Sequence, residues 1–221
     1  MEIKNLSYAK DTFSKGFPRI AKNLTTELRK KIKINKDECD LLLAIDSSLK
    51  DVSNMKLNAE KCLYSGQIDN PNPYLAISVA FEIEGNQDLA QKVLLSAIEK
   101  VNHHESFYRQ LAQINYKQDK KENAQKILLG LVKKNPENER MIRESIQFFT
   151  KRNEWESAYT FISALEKIET INFESQITLY GVAKKNKDEK RAQKYLTKVN
   201  QVLEKLPKEK ALMIRAQLEK I

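Results

Sequence analysis

The residues that most often perform catalysis or bind metals are scarce in this chain. Its two histidines are adjacent, at His103 and His104, and its two cysteines, Cys39 and Cys62, lack the spacing of a metal site. The sequence contains no glycine-rich phosphate loop and no nucleophile motif. We therefore predict a protein that is not an enzyme and that uses no cofactor and no metal.

The two cysteines are expected to be reduced and partly buried. A disulfide would require that a pair of helices brings Cys39 and Cys62 together. The first residues, MEIKNLSYAK, lack the apolar core of a signal peptide. With a mean hydropathy of −0.60 and no apolar run near the roughly 20 residues that cross a bilayer, the sequence predicts a soluble, cytoplasmic protein.

The charge of the chain is basic overall but unevenly distributed. The net charge is +9, yet residues 1–36 carry ten Lys or Arg against three acidic residues, whereas residues 37–70 carry three against seven. Within the basic segment, Pro18–Ile34 is predicted to form one amphipathic helix. Its apolar face would consist of Ile20, Leu24, Leu28 and Ile32.

The cations of that N-terminal helix form the first candidate site. They are Arg19, Lys22, Arg29, Lys30, Lys31 and Lys33. In one interpretation the apolar face packs on the rest of the protein and these cations are solvated. In the alternatives they bind an acidic protein, an anionic membrane surface or the phosphates of a nucleic acid, the last without sequence preference.

A period of 34 residues organises the rest of the sequence. Alanine recurs at Ala90, Ala124, Ala158 and Ala192, and an aliphatic residue follows each by four positions, at Leu94, Leu128, Ile162 and Leu196. A small residue early in a helix lets an antiparallel neighbour approach, and an aliphatic residue one turn later fills the interior. Because one helix pair cannot bury its apolar face alone, such pairs are expected to stack.

This pattern resembles the tetratricopeptide repeat family over residues 71–206. In the best repeat, the family's positions are occupied by Tyr74, Ile77, Phe81, Gly85, Ala90, Leu94 and Ala97. The next repeat keeps Tyr108, Leu111, Ala112, Ala124, Leu128 and Pro136. The resemblance implies an all-α fold, an α-α superhelix (a solenoid of antiparallel helix pairs) with N-terminal helices and a C-terminal capping helix.

The predicted organisation has four parts. They are a basic helical arm (residues 1–36), a degenerate helix pair or cap (37–70), four repeats (71–206) and a capping helix (207–221). The degenerate pair is expected at Glu38–Leu49 and Val52–Tyr64. In the capping helix, Leu212, Ile214 and Leu218 are expected to form the apolar face.

The second candidate site follows from the resemblance, because the first helices of such repeats line a concave groove. The corresponding residues are Arg109, Gln113, Tyr116, Lys117, Arg140, Arg143, Gln147, Lys151, Lys184 and Lys185. Arg and Gln on rigid helices suit carboxylates and extended peptide backbone. We expect a scaffold or adaptor that holds an acidic or carboxylate-bearing segment of a protein partner. The alternatives are a polyanion-binding module that uses the basic arm and a structural subunit of a larger assembly; the oligomeric state stays open.

Overall fold

A computed structural model describes residues 2–101 and 104–219, and only the backbone for residues 2–5. The regular structure of these ranges is entirely helical, so the all-α prediction is confirmed. The chain divides into two compact units: unit 1 is residues 1–127 and unit 2 is residues 128–221. The helices are α1 (Glu2–Ser14), α2 (Pro18–Leu24), α3 (Thr26–Lys30), α4 (Lys36–Ser48), α5 (Val52–Tyr64), α6 (Pro71–Ile83), α7 (Gln87–Lys100), α8 (Glu105–Lys117), α9 (Lys121–Lys134), α10 (Glu139–Thr150), α11 (Trp155–Tyr159), α12 (Ile162–Glu166), α13 (Phe173–Lys185), α14 (Glu189–Leu203) and α15 (Lys208–Leu218).

The periodic alanines are buried, as the helix-pair prediction requires. Ala90, Ala124 and Ala158 are fully buried, and Ala192 is 5% exposed. The Ser78 hydroxyl of α6 donates a hydrogen bond of 3.2 Å to the carbonyl oxygen of Ala90 in α7. A side chain that reaches the backbone of the facing helix shows how closely the two helices approach at the small residue.

The same period appears at both ends of the first helices. Four N-cap side chains, spaced by 34 residues, accept a hydrogen bond from a backbone N–H: Asn70, His104, Asn138 and Asn172. After the first helix of each pair, one residue has a left-handed backbone: Gly85, Asp119, Asn153 and Lys187. A capping side chain satisfies an N–H that the helix leaves free, and a left-handed residue turns the chain into the next helix. The first helix of each hairpin therefore has one local signal at its start and another just after its end.

A disulfide joins the first hairpin of unit 1. The bond links Cys39 of α4 to Cys62 of α5, both fully buried, with 5.7 Å between their Cα atoms. The expectation of reduced thiols was therefore wrong. The helix pair itself was expected at these positions, and α4 and α5 confirm it; their packing is what brings together two cysteines 23 residues apart.

The prediction of one continuous helix over Pro18–Ile34 was also wrong. The chain forms two short helices, α2 and α3, and leaves the helical conformation at Lys31. At the break, the hydroxyl groups of Thr25 and Thr26 donate to the carbonyl oxygens of Lys22 and Asn23, at 2.9 and 2.7 Å. Because such bonds compete with helical hydrogen bonds, two adjacent threonines favour a helix end here.

The N-terminal arm packs on α4 through a small apolar cluster. Its buried members are Ala9, Ala21, Leu41 and Ile45, and the half-buried Leu6, Phe13, Leu24 and Leu49 surround them. Two residues of the expected apolar face are instead exposed, Ile20 by 52% and Ile32 by 76%. Leu24 and Leu28 of the predicted face do pack against apolar clusters, so that face is buried only in part.

Unit 2 contains the two repeats that match the family pattern least well. The second helix of the first of these repeats is divided into α11 and α12 at Thr160, whose hydroxyl donates to the carbonyl oxygen of Ser157 at 2.7 Å. Packing continues across the break, because the rings of Phe149 and Phe161 are fully buried and stack at 5.8 Å.

The C-terminal helix α15 is present where it was predicted, but its buried face differs from the expected one. Ala211 and Leu218 are buried, whereas Leu212 is 64% exposed, so Leu212 was wrongly assigned to the buried face. Residues seven positions apart lie on one side of a helix, and the neighbour of Ala211 is turned about 100° away from it.

Candidate functional site

The predicted groove residues on α8 are engaged within unit 1. The Lys117 ammonium lies 2.8 Å from the Glu82 carboxylate of α6, whose side chain is only 6% exposed. Arg109 bonds Glu105 of its own helix at 3.3 Å. Tyr116 is half-buried, with the ammonium of Lys121 5.8 Å from its ring centroid, and Gln113 is half-buried. Lys117 thus connects α8 to α6, whereas Arg109 bonds within α8.

The groove residues of α10 divide into a buried and an exposed group. Arg143 is 15% exposed and lies 3.4 Å from Glu174 and 3.5 Å from the Ser175 hydroxyl of α13, so it ties the two helices together. Arg140 is 68% exposed and bonds Glu144 one turn away. Gln147 is half-buried, and Lys151 is exposed at the C-cap of α10.

The last two groove residues, Lys184 and Lys185, are exposed in the final turn of α13. Their ammonium groups lie 5.6 Å from the ring of Tyr180 and 5.8 Å from that of Trp155. Lys151 and Lys185 are 34 residues apart, at equivalent positions of hairpins whose first helices are in contact. Cations at helix C-termini are stabilised by the helix dipole. Among the predicted groove residues of unit 2, the exposed lysines are therefore Lys151, Lys184 and Lys185, and all three lie at or just after a helix C-terminus.

Most cations of the basic arm are paired with carboxylates of the protein, although the Lys30–Glu27 pair is exposed. Arg29 makes two hydrogen bonds, of 2.6 and 3.0 Å, to the fully buried Asp46 carboxylate of α4. Lys30 lies 2.6 Å from Glu27, and Lys31 lies 3.0 Å from Glu38. A polyanion would have to compete with these carboxylates for the same cations.

Lys22 makes a further pair with Asp51, the N-cap of α5. Hydrogen bonds from Lys22 and from Asn54 lower the pKa of the Asp51 carboxyl from 3.8 to about 2. The remaining two arm cations, Arg19 and Lys33, are exposed. The structure therefore places four of the six arm residues in contacts that hold the arm on α4 and α5, or within the arm itself.

A polar cluster in unit 2 connects α11, α12 and α14. The Tyr159 hydroxyl donates to Asp188 at 2.6 Å, and Arg191 lies 3.1 Å from Asp188 and 3.3 Å from Glu166. Burial, together with the hydrogen bond that it donates to Glu166, raises the pKa of Tyr195. Because these groups satisfy one another, we interpret the cluster as a structural tie across the divided helix.

The residues with metal-binding or catalytic potential are in structural positions. The His104 imidazole accepts the Ser106 N–H as a helix cap and lies edge-on to the Phe107 ring; His103 is outside the described residues. No group of three or more His, Cys, Asp or Glu residues is arranged to hold a metal ion in the described part of the chain. No described helix has the length and apolar character needed to cross a membrane.

A cleft lies on the first helices of unit 1, and sequence reasoning recognised only its α6 side, where the groove positions of the first repeat are more apolar: Asn72, Leu75, Val79 and Glu82. It has a volume of about 210 Å³ and lies between α4 and α6. Its lining residues are Asp40, Leu43, Ala44, Ser47, Asn72, Leu75, Ala76 and Val79. Leu75 and Val79 occupy groove positions of their repeat, which is a signal for an apolar surface. The α4 side could not be aligned, because that helix pair is out of register with the period.

Comparisons with known proteins show the fold. No protein-family model matches the sequence, and no curated protein sequence matches it. PilF of Pseudomonas aeruginosa is 14% identical, with a TM-score of 0.54 over 97% of this chain and 96% of its own. PilW, a type IV pilus biogenesis factor, is 12% identical, with a TM-score of 0.56 over 88% of this chain and 90% of its own. The chain thus has a tetratricopeptide-repeat-like, all-α fold of helical hairpins.

Proposed function

We propose that this protein is a non-enzymatic scaffold that binds a protein partner on the solvent-facing sides of its first helices. The hairpins fix these helices by buried alanines, caps and, in the first pair, a disulfide. Side chains on such rigid elements need little further ordering when a partner binds, which favours affinity. The similarity to PilF and PilW supports the fold on which this proposal rests.

The finer proposal concerns the chemistry of the partner at unit 2. Three exposed lysines, Lys151, Lys184 and Lys185, stand in or just after the last turns of two neighbouring first helices, and this observation carries the proposal. They match an acidic or carboxylate-bearing segment. Arg140 and Gln147 complete the proposed surface, whereas Arg143 acts mainly between α10 and α13.

Charge reversal of the exposed lysines tests this proposal. The variant Lys151→Glu/Lys184→Glu/Lys185→Glu should lose a partner captured from the native cell and should bind a labelled acidic peptide at least tenfold less tightly, since each reversed charge acts against the ligand. The control is Lys190→Glu/Lys198→Glu/Lys205→Glu, which makes the same charge change at exposed positions in or after α14. Equal loss in both variants, or in neither, would contradict a specific acidic site.

The basic arm is a weaker candidate, because four of its six cations are paired. Deletion of residues 1–36 would expose the apolar cluster around Leu41 and Ile45. The truncated protein could then lose binding because it unfolds, so the deletion is a poor test of a binding site. The double variant Arg19→Glu/Lys33→Glu changes only exposed cations. If a polyanion site existed here, this variant would reduce the binding of heparin or an anionic vesicle and make it less dependent on salt.

The disulfide bears on the cellular compartment. Buried disulfides are typical of oxidising compartments and are rare in the cytoplasm. We therefore propose an oxidising compartment in place of the cytoplasmic location first expected. Lysing the native cell in denaturant with a maleimide reagent, which then reaches thiols that are buried in the folded protein, measures this directly. Cys39 and Cys62 should stay unlabelled until a reductant is added, and labelling without reductant would favour the cytoplasm.

A further inference from the structure

The cleft between α4 and α6 is built as an apolar slot with one charged end. Leu43 and Ala76 are buried at its floor, and Ala44, Leu75 and Val79 are half-buried along its walls. Each helix contributes small residues to the lining, Ala44 and Ser47 from α4 and Ala76 from α6. An engineered cavity of about 150 Å³ is enough to hold benzene. A volume of about 210 Å³ therefore accommodates an aliphatic side chain of leucine size.

The charged end of the cleft is the Asp40 carboxylate. One of its oxygens, Oδ1, accepts hydrogen bonds of 2.8 Å from the side-chain amides of both Asn70 and Asn72. The exposed Lys36, one turn earlier, bonds Oδ2 at 2.7 Å. Burial alone would raise the pKa of Asp40, but the hydrogen bonds from Lys36, Asn70 and Asn72 outweigh it and lower that pKa. The group is thus a negative charge held through Oδ1, and its other oxygen, Oδ2, meets the exposed Lys36.

The helices around the cleft are acidic in an otherwise basic protein. Residues 37–104 carry eleven acidic against five basic side chains, a net charge of −6, whereas the whole chain carries +9. Lys36, the cation nearest to Asp40, is 62% exposed, and an exposed i,i+4 pair of this kind contributes little. A cation from a ligand can therefore replace it on Oδ2 at small cost.

We propose that this cleft binds a protein segment in which an aliphatic residue lies close to a lysine or arginine, the aliphatic side chain entering the slot and the cation meeting Asp40. The inference rests on the proposed scaffold function and specifies the partner chemistry at unit 1. The segment proposed here is basic, whereas the ligand proposed at unit 2 is acidic.

The spacing within the cleft selects the spacing within the ligand. Asp40 stands one helical turn before Leu43 and Ala44, and Asn72 one turn before Leu75 and Ala76, which is a distance of about 5.4 Å along the helix axis. In an extended peptide, side chains on one face repeat every second residue, about 6.6 Å apart. A cation two positions from the aliphatic residue fits best.

A synthetic peptide array provides the probe. It presents Leu, Ile, Val or Met at one to four positions from a Lys, an Arg, a Glu or a Ser, in a Gly–Ser background, to the full-length protein. We expect the aliphatic–basic peptides to bind about tenfold more tightly than the aliphatic–acidic and the serine-only sets, with the best affinity at a spacing of two. If no aliphatic–basic peptide exceeds the serine set at any spacing, the proposal is wrong.

Paired variants assign the binding to the cleft. Asp40→Asn keeps an oxygen for the two asparagines but removes the charge, and it should weaken the basic peptides roughly fivefold, about 1 kcal/mol, without affecting the acidic ones. Asp37→Asn is the matched control, because Asp37 is 69% exposed on the same helix outside the cleft.

Ala44→Trp should fill the slot and abolish binding, whereas Ala216→Trp, at an exposed site on α15, should not. Thermal unfolding of each variant confirms that it is folded.

The outcomes separate this proposal from the proposed function. Peptides that bind equally well to Asp40→Asn, Asp37→Asn and Ala44→Trp would overturn the cleft assignment. If such a result came with a partner that still depends on Lys151, Lys184 and Lys185, the scaffold function would survive without the cleft. Self-association lost in Ala44→Trp would identify a second copy of this chain as the occupant and would also overturn the proposal.

Discussion

Unit 1 and unit 2 are built from the same kind of hairpin but hold it together differently. In unit 1, α4 and α5 share a buried disulfide, and α4 also holds a fully buried carboxylate, Asp46, against Arg29. In unit 2, the pair between Arg143 of α10 and Glu174 of α13 is more exposed than this one, because Glu174 is 75% exposed. This difference shows that the repeat determines only where apolar residues pack between helices. The disulfide and the ion pairs are particular to individual hairpins.

Charge is distributed differently in the two units, although both are net basic: residues 1–127 carry +3 and residues 128–221 carry +6. The hairpins of residues 37–104 in unit 1 carry −6, whereas residues 139–221 of unit 2 carry seventeen basic against twelve acidic residues, a net charge of +5. The overall charge of +9 therefore does not describe the hairpins of residues 37–104. An acidic partner segment would complement the net charge of the whole chain but would have the wrong sign for the α4–α6 cleft.

The largest expected effect concerns the buried ion pair. Asp46→Ala would leave Arg29 and the Asn58 side-chain amide, which lies 2.7 Å from the carboxylate, without their partner. Breaking a buried pair from one side costs about 3–5 kcal/mol of unfolding free energy. Urea denaturation measures this cost. Glu174→Ala in unit 2 should cost less than about 1 kcal/mol, and similar losses in the two variants would remove the contrast between the units.

The disulfide should contribute about 3 kcal/mol, because it restricts the unfolded chain between Cys39 and Cys62. Adding a reductant should lower the denaturation midpoint of the wild type and leave that of Cys39→Ala/Cys62→Ala unchanged. Hydrogen exchange should report the change in α4 and α5, whereas amides of α10 and α13 should keep their protection. A uniform loss of protection would show that the two units do not unfold independently.

The pH dependence of stability should reveal the Asp51–Lys22 pair of unit 1. The pKa of Asp51 is about 2 in the folded protein against an ordinary 3.8. Its contribution is therefore present above pH 3.8 and is lost as the pH falls toward about 2, and it amounts to about 2 kcal/mol at most. Asp51→Asn keeps an N-cap but does not titrate, so its unfolding free energy should fall less between pH 5 and pH 2. Parallel curves would contradict the assigned pair.

The smallest expected effect is at the left-handed turns. Lys50 and Lys187 have φ angles of 53° and 59°, a conformation that glycine adopts without strain. Lys50→Gly in unit 1 and Lys187→Gly in unit 2 should each stabilise the protein by up to about 1 kcal/mol. Asn153→Gly should gain less, because asparagine tolerates this conformation. Thermal unfolding measures all three, and a loss in both lysine variants would show that their side chains have another role.

Much of the fold could be predicted because its signals are local and repeated. The spacing of Ala90, Ala124 and Ala158 was sufficient to place the helix crossings. The caps at Asn70, Asn138 and Asn172 carry the same period and would have sharpened the helix boundaries. The candidate sites were less predictable. Whether Lys117 or Arg143 is available to a ligand depends on Glu82 and Glu174, which lie about one repeat away in the sequence.

The sequence by itself determined the helical hairpin and its period, because helix caps, turn residues and small crossing residues act over distances of a few positions along the chain. Only the tertiary structure decided that Cys39 meets Cys62, that Asp46 neutralises Arg29, and that α4 and α6 leave a slot beside Asp40. These features depend on which side chains of separate helices face each other. If a helix is rotated by one residue, other side chains face its neighbour, although the hairpin itself stays the same. The buried residues near Thr25 and Leu212 differ from the predicted ones for this kind of reason.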